Sequence, residues 1–297
     1  QQFLDNPRYS TGYTTLWNTI GMMVETHMLK PYPKRVKGTY ELMRSMIGIA
    51  EKDRERMKDL RNRASRKYLT DRWYPINYKP DMENPSKRNF KGYEGEMIAS
   101  EVTGGERLKY DTQKPFTKEV NYYDNFIAED TIEIPRAYIV PQGWWQVTEL
   151  LKLNQIKLEP LARDTTLYVE TYSIENFKTG EQAYEGHYKH SETRVSKTMD
   201  SVEFRKGDFV VKTFQEGARY LIETLEPGAP DSFFNWNFFD TVLQQKEGFS
   251  PYVFEDIAKN MLDENPELKE RFEEKKNSDT DFSNNWYAQL DWLHKQS

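Results

Sequence analysis

Several features that would narrow the function of this protein are missing from its sequence. There is no cysteine among the 297 residues, which excludes a disulfide framework and any thiol chemistry. No apolar run approaches the ~20 residues that a membrane-spanning helix needs, so the sequence predicts no transmembrane segment. No signal peptide opens the chain, and it contains neither an internal repeat nor a low-complexity segment. These absences leave the cellular compartment open.

Charges of both signs are abundant, and neither sign dominates. Lys and Arg number 42 and Asp and Glu number 48, which gives a net charge of −6. A dedicated nucleic-acid binder usually has a basic face, so this balance argues against nucleic acid as a partner. Hydrophobic residues make up 37% and aromatic residues 14%, enough for a core in which aromatic rings supply much of the buried area. A chain of this length forms one large domain or two ordinary ones.

A short apolar run near the start of the sequence leads directly into two ionisable residues. The segment Ile20–Val24 is followed by Glu25 and, two residues later, by His27. Apolar runs of this length suit a strand that is buried on both faces. Side chains alternate along a strand, so Glu25 and His27 are expected on the same side. In open α/β sheets ligands bind at the carboxyl ends of strands, which makes this segment the first candidate site.

This stretch resembles the end of the catalytic domain of zinc carboxypeptidases of the M14 type, most closely the branch found in large secreted peptidases of Bacteroidetes. In that family a strand ending in a Val-Glu-Thr-His-like motif carries the catalytic glutamate, and a Lys-Pro-Tyr step follows. The resemblance covers most of the chain through short strings. They are Arg8–Tyr13, Gly21–Tyr32, Ile134–Tyr138 with Pro141–Trp145, Phe204–Asp208, Ala218–Leu225 and Gln244–Pro251.

The resemblance implies that Glu25 is the catalytic carboxylate, acting as general base and then general acid beside a zinc-bound water. The family binds zinc through a His-x-x-Glu pair and a later histidine, all upstream of this strand, and no His-x-x-Glu occurs here. The chain is therefore expected to be the C-terminal segment of a peptidase, with zinc as cofactor and no metal ligand of its own. Its expected partners are a peptide substrate and the upstream part of the same protein, in the periplasm or at the cell surface.

Three residues before the predicted strand are candidates for substrate binding. The family uses a mobile tyrosine in this region, and both Tyr9 and Tyr13 lie there; the alternative is that both pack as anchors of the loop. The planar guanidinium of Arg8 could bind a substrate carboxylate, or it could pair with nearby Asp5. For Glu25 the structural alternative is an ion pair with a neighbouring cation.

The four histidines do not form an evident metal site. Glu25 and His27 could share a zinc ion, but such a site needs three protein ligands and no third is evident. A role for His27 in orienting Glu25 or a ligand is the favoured interpretation. His187 and His190 would point to opposite faces of a predicted strand, which prevents chelation, and His294 ends the last predicted helix.

Helical patterns lie on both sides of a β-rich middle. Apolar residues at three- and four-residue steps from Val36 to Ala50, and more weakly from Met57 to Tyr68, predict a long helix with one apolar face. Its charged tract over 51–67 suits a solvated helix face or an anionic partner. Strands are predicted at 97–102, 117–123, 136–140, 156–161, 167–174, 184–191, 194–204 and 209–213. Further helices are predicted at 144–153, 218–225, 233–245, 252–262, 267–276 and 282–294.

Aromatic residues are concentrated at two places that could bind a glycan. Trp144 and Trp145 begin one predicted helix, and five aromatic side chains lie between Phe233 and Phe239 in another. A glycan platform needs flat and exposed rings, whereas aromatic rings at helical spacing usually belong to the core. Trp145 and Leu151 are accordingly expected to point inward.

The predicted fold class is mixed, α+β and α/β. The chain would comprise the last strand and helix of a zinc-carboxypeptidase-like α/β domain over 1–70 and an accessory domain over 71–297, β-rich over 71–215 and helical over 216–297. The predicted function is that of a metallocarboxypeptidase-like peptidase, with a non-catalytic module that binds peptide or glycan as the alternative. A catalytic Glu25 should lie at the floor of an open cleft without a partner cation, whereas a structural Glu25 should be buried in a salt bridge.

Overall fold

The computed structural model of the protein describes residues 3–244 and 247–296, without the side chains of 68–70. It contains both helices and strands, as the predicted mixed class requires. The chain divides into two compact units, Gln1–Phe238 and Phe239–Ser297. Residue 70 lies inside the first unit at the end of a helix, and a domain boundary of a longer protein at that point stays a prediction. Over the described residues, no helix combines the length and apolar character needed to cross a bilayer.

The described residues of the first unit contain five helices and nine strands. The helices are α1 (Ser10–Leu16), α2 (Tyr32–Lys52), α3 (Arg54–Thr70), α4 (Trp145–Leu153) and α5 (Ala218–Leu225). The strands are β1 (Trp73–Pro80), β2 (Ser86–Ala99), β3 (Glu106–Tyr122), β4 (Phe126–Glu133), β5 (Ala137–Val140), β6 (Glu159–Pro160), β7 (Thr165–Thr179), β8 (His190–Phe204) and β9 (Phe209–Lys212).

The strands form small antiparallel sheets. β1 pairs with β4, β2 with β3, and β7 with β8, while β9 lies between β5 and β6. One part of the core lies between the β1–β4 pair and α5, where Tyr74 and Ile76 pack with Ile222 and Ala229. The strands predicted at 117–123, 136–140, 167–174 and 194–204 are confirmed as parts of β3, β5, β7 and β8. Of the strand predicted at 97–102, only 97–99 lie in β2, and the strand predicted at 156–161 is reduced to β6. Within 184–191, a turn is closed by an isolated β-bridge between Tyr184 and His187, and the last two residues begin β8.

The strand predicted at 209–213 is present as β9, but it does not form a hairpin with the strand before it. β8 pairs with β7 instead, and β9 pairs with β5 and β6. Gly207 redirects the chain with φ of +96°, a conformation that glycine adopts without steric cost. Buried Asp208 accepts hydrogen bonds from the N–H groups of Arg205 and Gln142 at 2.8 and 2.9 Å, which holds the turn beside the end of β5.

The strand predicted at Ile20–Val24 is not formed. Residues 18–28 are irregular, and the apolar side chains of Ile20, Met22 and Val24 are exposed. A strand needs neighbours that accept and donate its backbone hydrogen bonds. No strand pairs with this segment in the described part of the chain, so the apolar run has no sheet to join.

The long helix predicted after residue 32 is confirmed as α2 and α3, which meet at Asp53. Its apolar face on α2 is present but uncovered, because α2 buries none of its residues and Ile47 exposes 66% of its surface. The weaker continuation of the apolar face reaches Tyr68, whose side chain lies outside the described residues. An amphipathic helix gains most of its stability from covering such a face.

The prediction for α4 is confirmed, with one side chain placed wrongly. Val147, Thr148 and Leu151 are buried, as expected for the inward face. Trp145, predicted to point inward, exposes 64% of its surface. It occupies the first helical position, where no neighbouring turn covers it.

The aromatic helix predicted at 233–245 is wrong. Residues 233–239 form turns, followed by a short 3-10 helix at Asp240–Leu243, and Gln245 lies outside the described residues. Asn237 has φ of +68°, which a right-handed helix cannot contain. Phe233 and Phe234 are nevertheless buried, so their apolar character places them in the core without a helix.

Besides the short 3-10 helix, four α-helices lie in the described residues of the second unit: α6 (Pro251–Glu264), α7 (Pro266–Ser278), α8 (Thr280–Ser283) and α9 (Trp286–His294). Asn265 and Asp279 cap α7 and α8 by accepting main-chain N–H groups at 3.0 and 2.9 Å. Asn285 caps α9 in the same way, so the single helix predicted at 282–294 is split in two. Seven apolar side chains form the core of this unit: Phe254, Ala258, Leu268, Phe272, Phe282, Leu290 and Leu293.

A glycine in α1 provides a test of the packing in the first unit. A Cβ atom at Gly12 would lie 2.0 Å from the carbonyl oxygen of Asn6, which is main chain and cannot rotate away. We expect Gly12→Ala to lower the free energy of unfolding by about 1–3 kcal/mol, measured by urea denaturation. Gly38→Ala in α2 is the matched control, because nothing lies within 4 Å of its Cβ position. There alanine should stabilise the helix by about 0.5–1 kcal/mol, and an equal loss in both variants would contradict the packing described.

Candidate functional site

Arg8 is bound to a buried carboxylate and not to Asp5, the partner considered from the sequence. Its Nη2 atom lies 2.8 Å from Oδ1 of Asp231, and its Nε donates to Oδ2 at 3.1 Å. The main-chain N–H of Arg8 also donates to Oδ2, at 2.8 Å. Asp5 instead accepts the hydroxyl hydrogen of Thr11. Binding of a substrate carboxylate by Arg8 stays a prediction, and it would have to compete with this ion pair.

The two candidate tyrosines both have contacts within the protein. The hydroxyl of Tyr13, exposed on α1, donates to Oδ1 of Asn154 at 2.6 Å. The ring of Tyr9 contacts Phe3 edge-on at 5.2 Å, and the Arg8 guanidinium lies 5.9 Å from the Tyr9 ring centroid. These contacts are those of loop anchors, and a role in substrate binding stays a prediction for both.

Glu25 and His27 lie on the exposed, irregular segment that follows Trp17. No ion pair or hydrogen bond links Glu25 to another described residue, so the structural alternative of a buried salt bridge is wrong. The expected position at the floor of a cleft is not found either, because the segment lacks the sheet that would form one. His27 accepts the N–H of Leu29 on Nδ1 at 3.2 Å, a local turn contact. Within the described ranges, no hydrogen bond or ion pair links either residue to Arg8, Tyr9 or Tyr13.

The remaining histidines are held by local contacts. Buried His190 lies between Thr179 Oγ1, at 3.0 Å from Nδ1, and Asn237 Nδ2, at 3.2 Å from Nε2. His187 stacks on Phe238, and His294 contacts other aromatic rings of the second unit. The residues that the structure describes contain no group of three His, Asp or Glu side chains that could hold a metal ion. The resemblance places the zinc ligands upstream of this chain, so zinc as a cofactor stays a prediction.

A buried carboxyl that the sequence analysis missed lies in a groove of about 640 Å³. Glu223, on α5, is only 7% exposed and accepts the hydroxyl hydrogen of Tyr74 at 2.8 Å. The Nε of Arg219 donates to the Tyr74 oxygen at 3.3 Å. Apolar side chains around these polar groups, including Leu4 and Phe126, line the groove. A concave site with a few convergent polar groups is the usual form of a ligand pocket.

The electrostatics of Glu223 differ from those of an ordinary surface carboxyl. Burial raises the pKa of the Glu223 carboxyl to about 7, and the Tyr74 hydrogen bond and the Arg219 charge offset only part of that rise. The helix predicted at 218–225 is present as α5 and is buried almost all round. A glutamate inside such a helix is the signal that could have identified the site.

A second buried carboxyl, Glu226, connects two strands to a helix through hydrogen bonds. It accepts hydrogen bonds from the hydroxyls of Tyr138 at 2.6 Å and Tyr172 at 3.1 Å. Burial raises the pKa of Glu226 and those of both tyrosines. These bonds join β5 and β7 to the end of α5, which explains why a carboxylate is buried there.

Comparison with known proteins gives a partial similarity to carboxypeptidases. The chain is similar to Carboxypeptidase 2 of Trichophyton rubrum, with 29% identity over 100 residues, 33% of this chain and 18% of that protein. Carboxypeptidase 2 of Trichophyton tonsurans matches at 28% identity over the same shares. The chain therefore spans less than a fifth of the length of these relatives. No family model and no solved structure matches it.

The raised pKa of Glu223 predicts a dependence of stability on pH. Its folded value of about 7 lies above the ordinary 4.5, so the folded state binds the proton more tightly. The contribution of Glu223 is complete below about pH 4.5 and is lost as the pH rises through 7, by on the order of 2–3 kcal/mol. We expect Glu223→Gln to remove this slope in urea unfolding between pH 5 and 8.

The matched variant is Tyr74→Phe. It deletes the hydrogen bond that lowers the pKa of Glu223, so the loss of stability should move to higher pH. A slope that is identical in the parent protein and in Glu223→Gln would contradict a perturbed carboxyl at this position.

Proposed function

We propose that this chain is the C-terminal segment of a zinc-dependent metallocarboxypeptidase-like peptidase, in which Glu25 is the general base and general acid. Support comes from the 100-residue similarity to Carboxypeptidase 2 and from the sequence strings around Glu25. Membership of the secreted Bacteroidetes branch, and a periplasmic or cell-surface location, belong to the same proposal.

The observation that carries the proposal is the uncovered apolar surface beside Glu25. Met28 and Leu29 expose 80% and 83% of their surfaces, and the apolar face of α2 is open as well. Contiguous apolar surface of this kind usually marks an interface. A strand and a helix of an α/β domain, taken without the sheet that they complete, would have these exposed faces. The upstream part of a peptidase is the partner that would cover them and hold Glu25 at a strand end.

The chemistry expected of Glu25 is proton transfer. Its carboxylate would take a proton from the attacking water and give it to the leaving amine of the peptide. Zinc, bound by ligands that this chain does not supply, would lower the pKa of that water. His27 would orient Glu25, and the hydroxyl of Tyr9 or Tyr13 would hydrogen-bond the peptide.

The test is Glu25→Gln in the natural protein that contains this chain. Peptide cleavage should require zinc, and the substitution should reduce kcat by about 10²–10⁴-fold, because the amide cannot accept the proton. Zinc content by elemental analysis should not change, since Glu25 is not proposed as a ligand. Cleavage at the parent rate would contradict the assignment of Glu25 as general base and general acid.

Glu51→Gln is the matched control for charge removal. Glu51 is an exposed carboxylate at the end of α2 and has no proposed role. It should leave both kcat and KM at their parent values.

A second candidate function is a non-catalytic module that binds peptide or glycan, and the exposure of Trp145 favours it. An exposed indole ring on a rigid helix can stack on a sugar face. If this function holds, glycan-array binding should fall at least tenfold in Trp145→Ala. Leu153→Ala, which removes an exposed apolar side chain at the other end of α4, should not reduce binding. Absence of glycan binding by the parent chain would remove this alternative for glycans.

A further inference from the structure

Asp231 is the centre of a buried ion cluster that joins distant parts of the first unit. Its side chain is 3% exposed and accepts four hydrogen bonds. Two come from Arg8, one from Nζ of Lys189 at 2.8 Å, and one from the indole N–H of Trp236 at 3.1 Å, while Nη2 of Arg8 adds an ion-pair contact to Oδ1 at 2.8 Å. Both oxygens are therefore fully occupied.

The carboxylate of Asp231 is stabilised in its charged form by its partners. Burial alone would raise the pKa of Asp231, but the hydrogen bonds and charges of Lys189 and Arg8 hold it below its usual value. Two cations thus face one carboxylate in a region with little water. Charge-assisted hydrogen bonds of this kind are strong and fix orientation, especially when the guanidinium makes a two-pronged contact.

Asp231 also has contacts that do not involve Arg8. Lys189 lies 4.4 Å from the ring centroid of Trp236, and its Nζ also donates to the Pro230 carbonyl at 3.3 Å. The turn that follows is tied by Asn235, whose Nδ2 donates to the Ala229 carbonyl at 2.8 Å. The carboxylate is therefore a preformed receptor for the Arg8 side chain.

Arg8, the residue that Asp231 binds, directly precedes the segment with the two candidate tyrosines. Tyr9 follows Arg8 directly, and Tyr13 lies one helical turn further on α1. A second tie holds the other end of α1, where the Arg219 guanidinium donates to the carbonyl of Thr15. The segment is thus fixed at both ends by residues far along the chain.

We propose that Asp231 and Lys189 are positioning residues, which hold the Arg8–Tyr13 segment so that its tyrosine can hydrogen-bond a peptide substrate. This inference depends on the proposed function. It assigns Arg8 to the clamp and not to the substrate carboxylate. It also links Lys189 and Asp231, which are distant in sequence from the candidate tyrosines, to substrate binding.

The experiment compares Asp231→Asn with the parent in the natural protein. Amide hydrogen exchange in residues 9–16 should quicken at least tenfold, because an amide cannot hold two cations. For peptide cleavage, KM should rise about tenfold while kcat changes less than threefold, and zinc content should not change. Asp231→Glu, which keeps the charge, should restore most of the protection and of KM.

Two controls separate positioning from general damage. Asp208→Asn removes another buried carboxylate of lowered pKa that accepts main-chain N–H groups, and it should change neither KM nor exchange in residues 9–16. In a protein that already has Phe at both Tyr9 and Tyr13, Asp231→Asn should raise KM less than twofold further, because the two changes act through one contact.

The outcomes distinguish the two proposals. A parent protein that cleaves no peptide overturns the proposed function and this inference with it. Cleavage with faster exchange but an unchanged KM in Asp231→Asn overturns the positioning role alone. Exchange that stays at the parent rate shows that the clamp does not hold the segment, and it also overturns the inference.

Discussion

The first unit depends on burying one carboxylate with two cations. Asp231 loses its water on folding, a cost that is recovered only because Arg8 and Lys189 replace that water with charged donors. Removing one member of such a set typically costs about 3–5 kcal/mol, because the others stay buried and unmatched. The requirement fixes the path of the chain near residue 8, more than 220 positions from its partner. The Arg8–Asp231 ion pair thus determines the path of the segment that precedes Glu25.

The surface next to that segment is apolar and exposed, unlike the buried ion cluster. The apolar residues between Ile20 and Leu29, and the apolar face of α2, have no cover within the described residues. Glu25 therefore lacks the surroundings that would tune a carboxylate for proton transfer. Two buried glutamates, Glu223 and Glu226, are instead matched to tyrosine hydroxyls. The proton transfer proposed for Glu25 requires a further protein surface that covers it. Glu223 and Glu226, by contrast, already have hydrogen-bond partners within the chain.

Local patterns predicted the elements whose formation needs only their own residues. The α2–α3 helix was predicted from its apolar spacing, and the helix predicted at 267–276 is present as α7. The prediction of a strand at Ile20–Val24 was wrong because a strand is stable only beside another strand. The aromatic helix was wrong because burial of Phe233 and Phe234 does not require helical backbone.

Spacing, turn residues and short strings were enough to predict the mixed class, most helices and strands, and a likeness to carboxypeptidases that the partial similarity supports. All of these signals are local. Three features became evident in the folded molecule alone: Arg8 pairs with Asp231 instead of Asp5, β9 joins β5, and Glu223 is buried with a pKa of about 7. Each of these depends on which distant groups share a region without water. Spacing along a chain carries no information about that, because burial and pairing are properties of the folded neighbourhood.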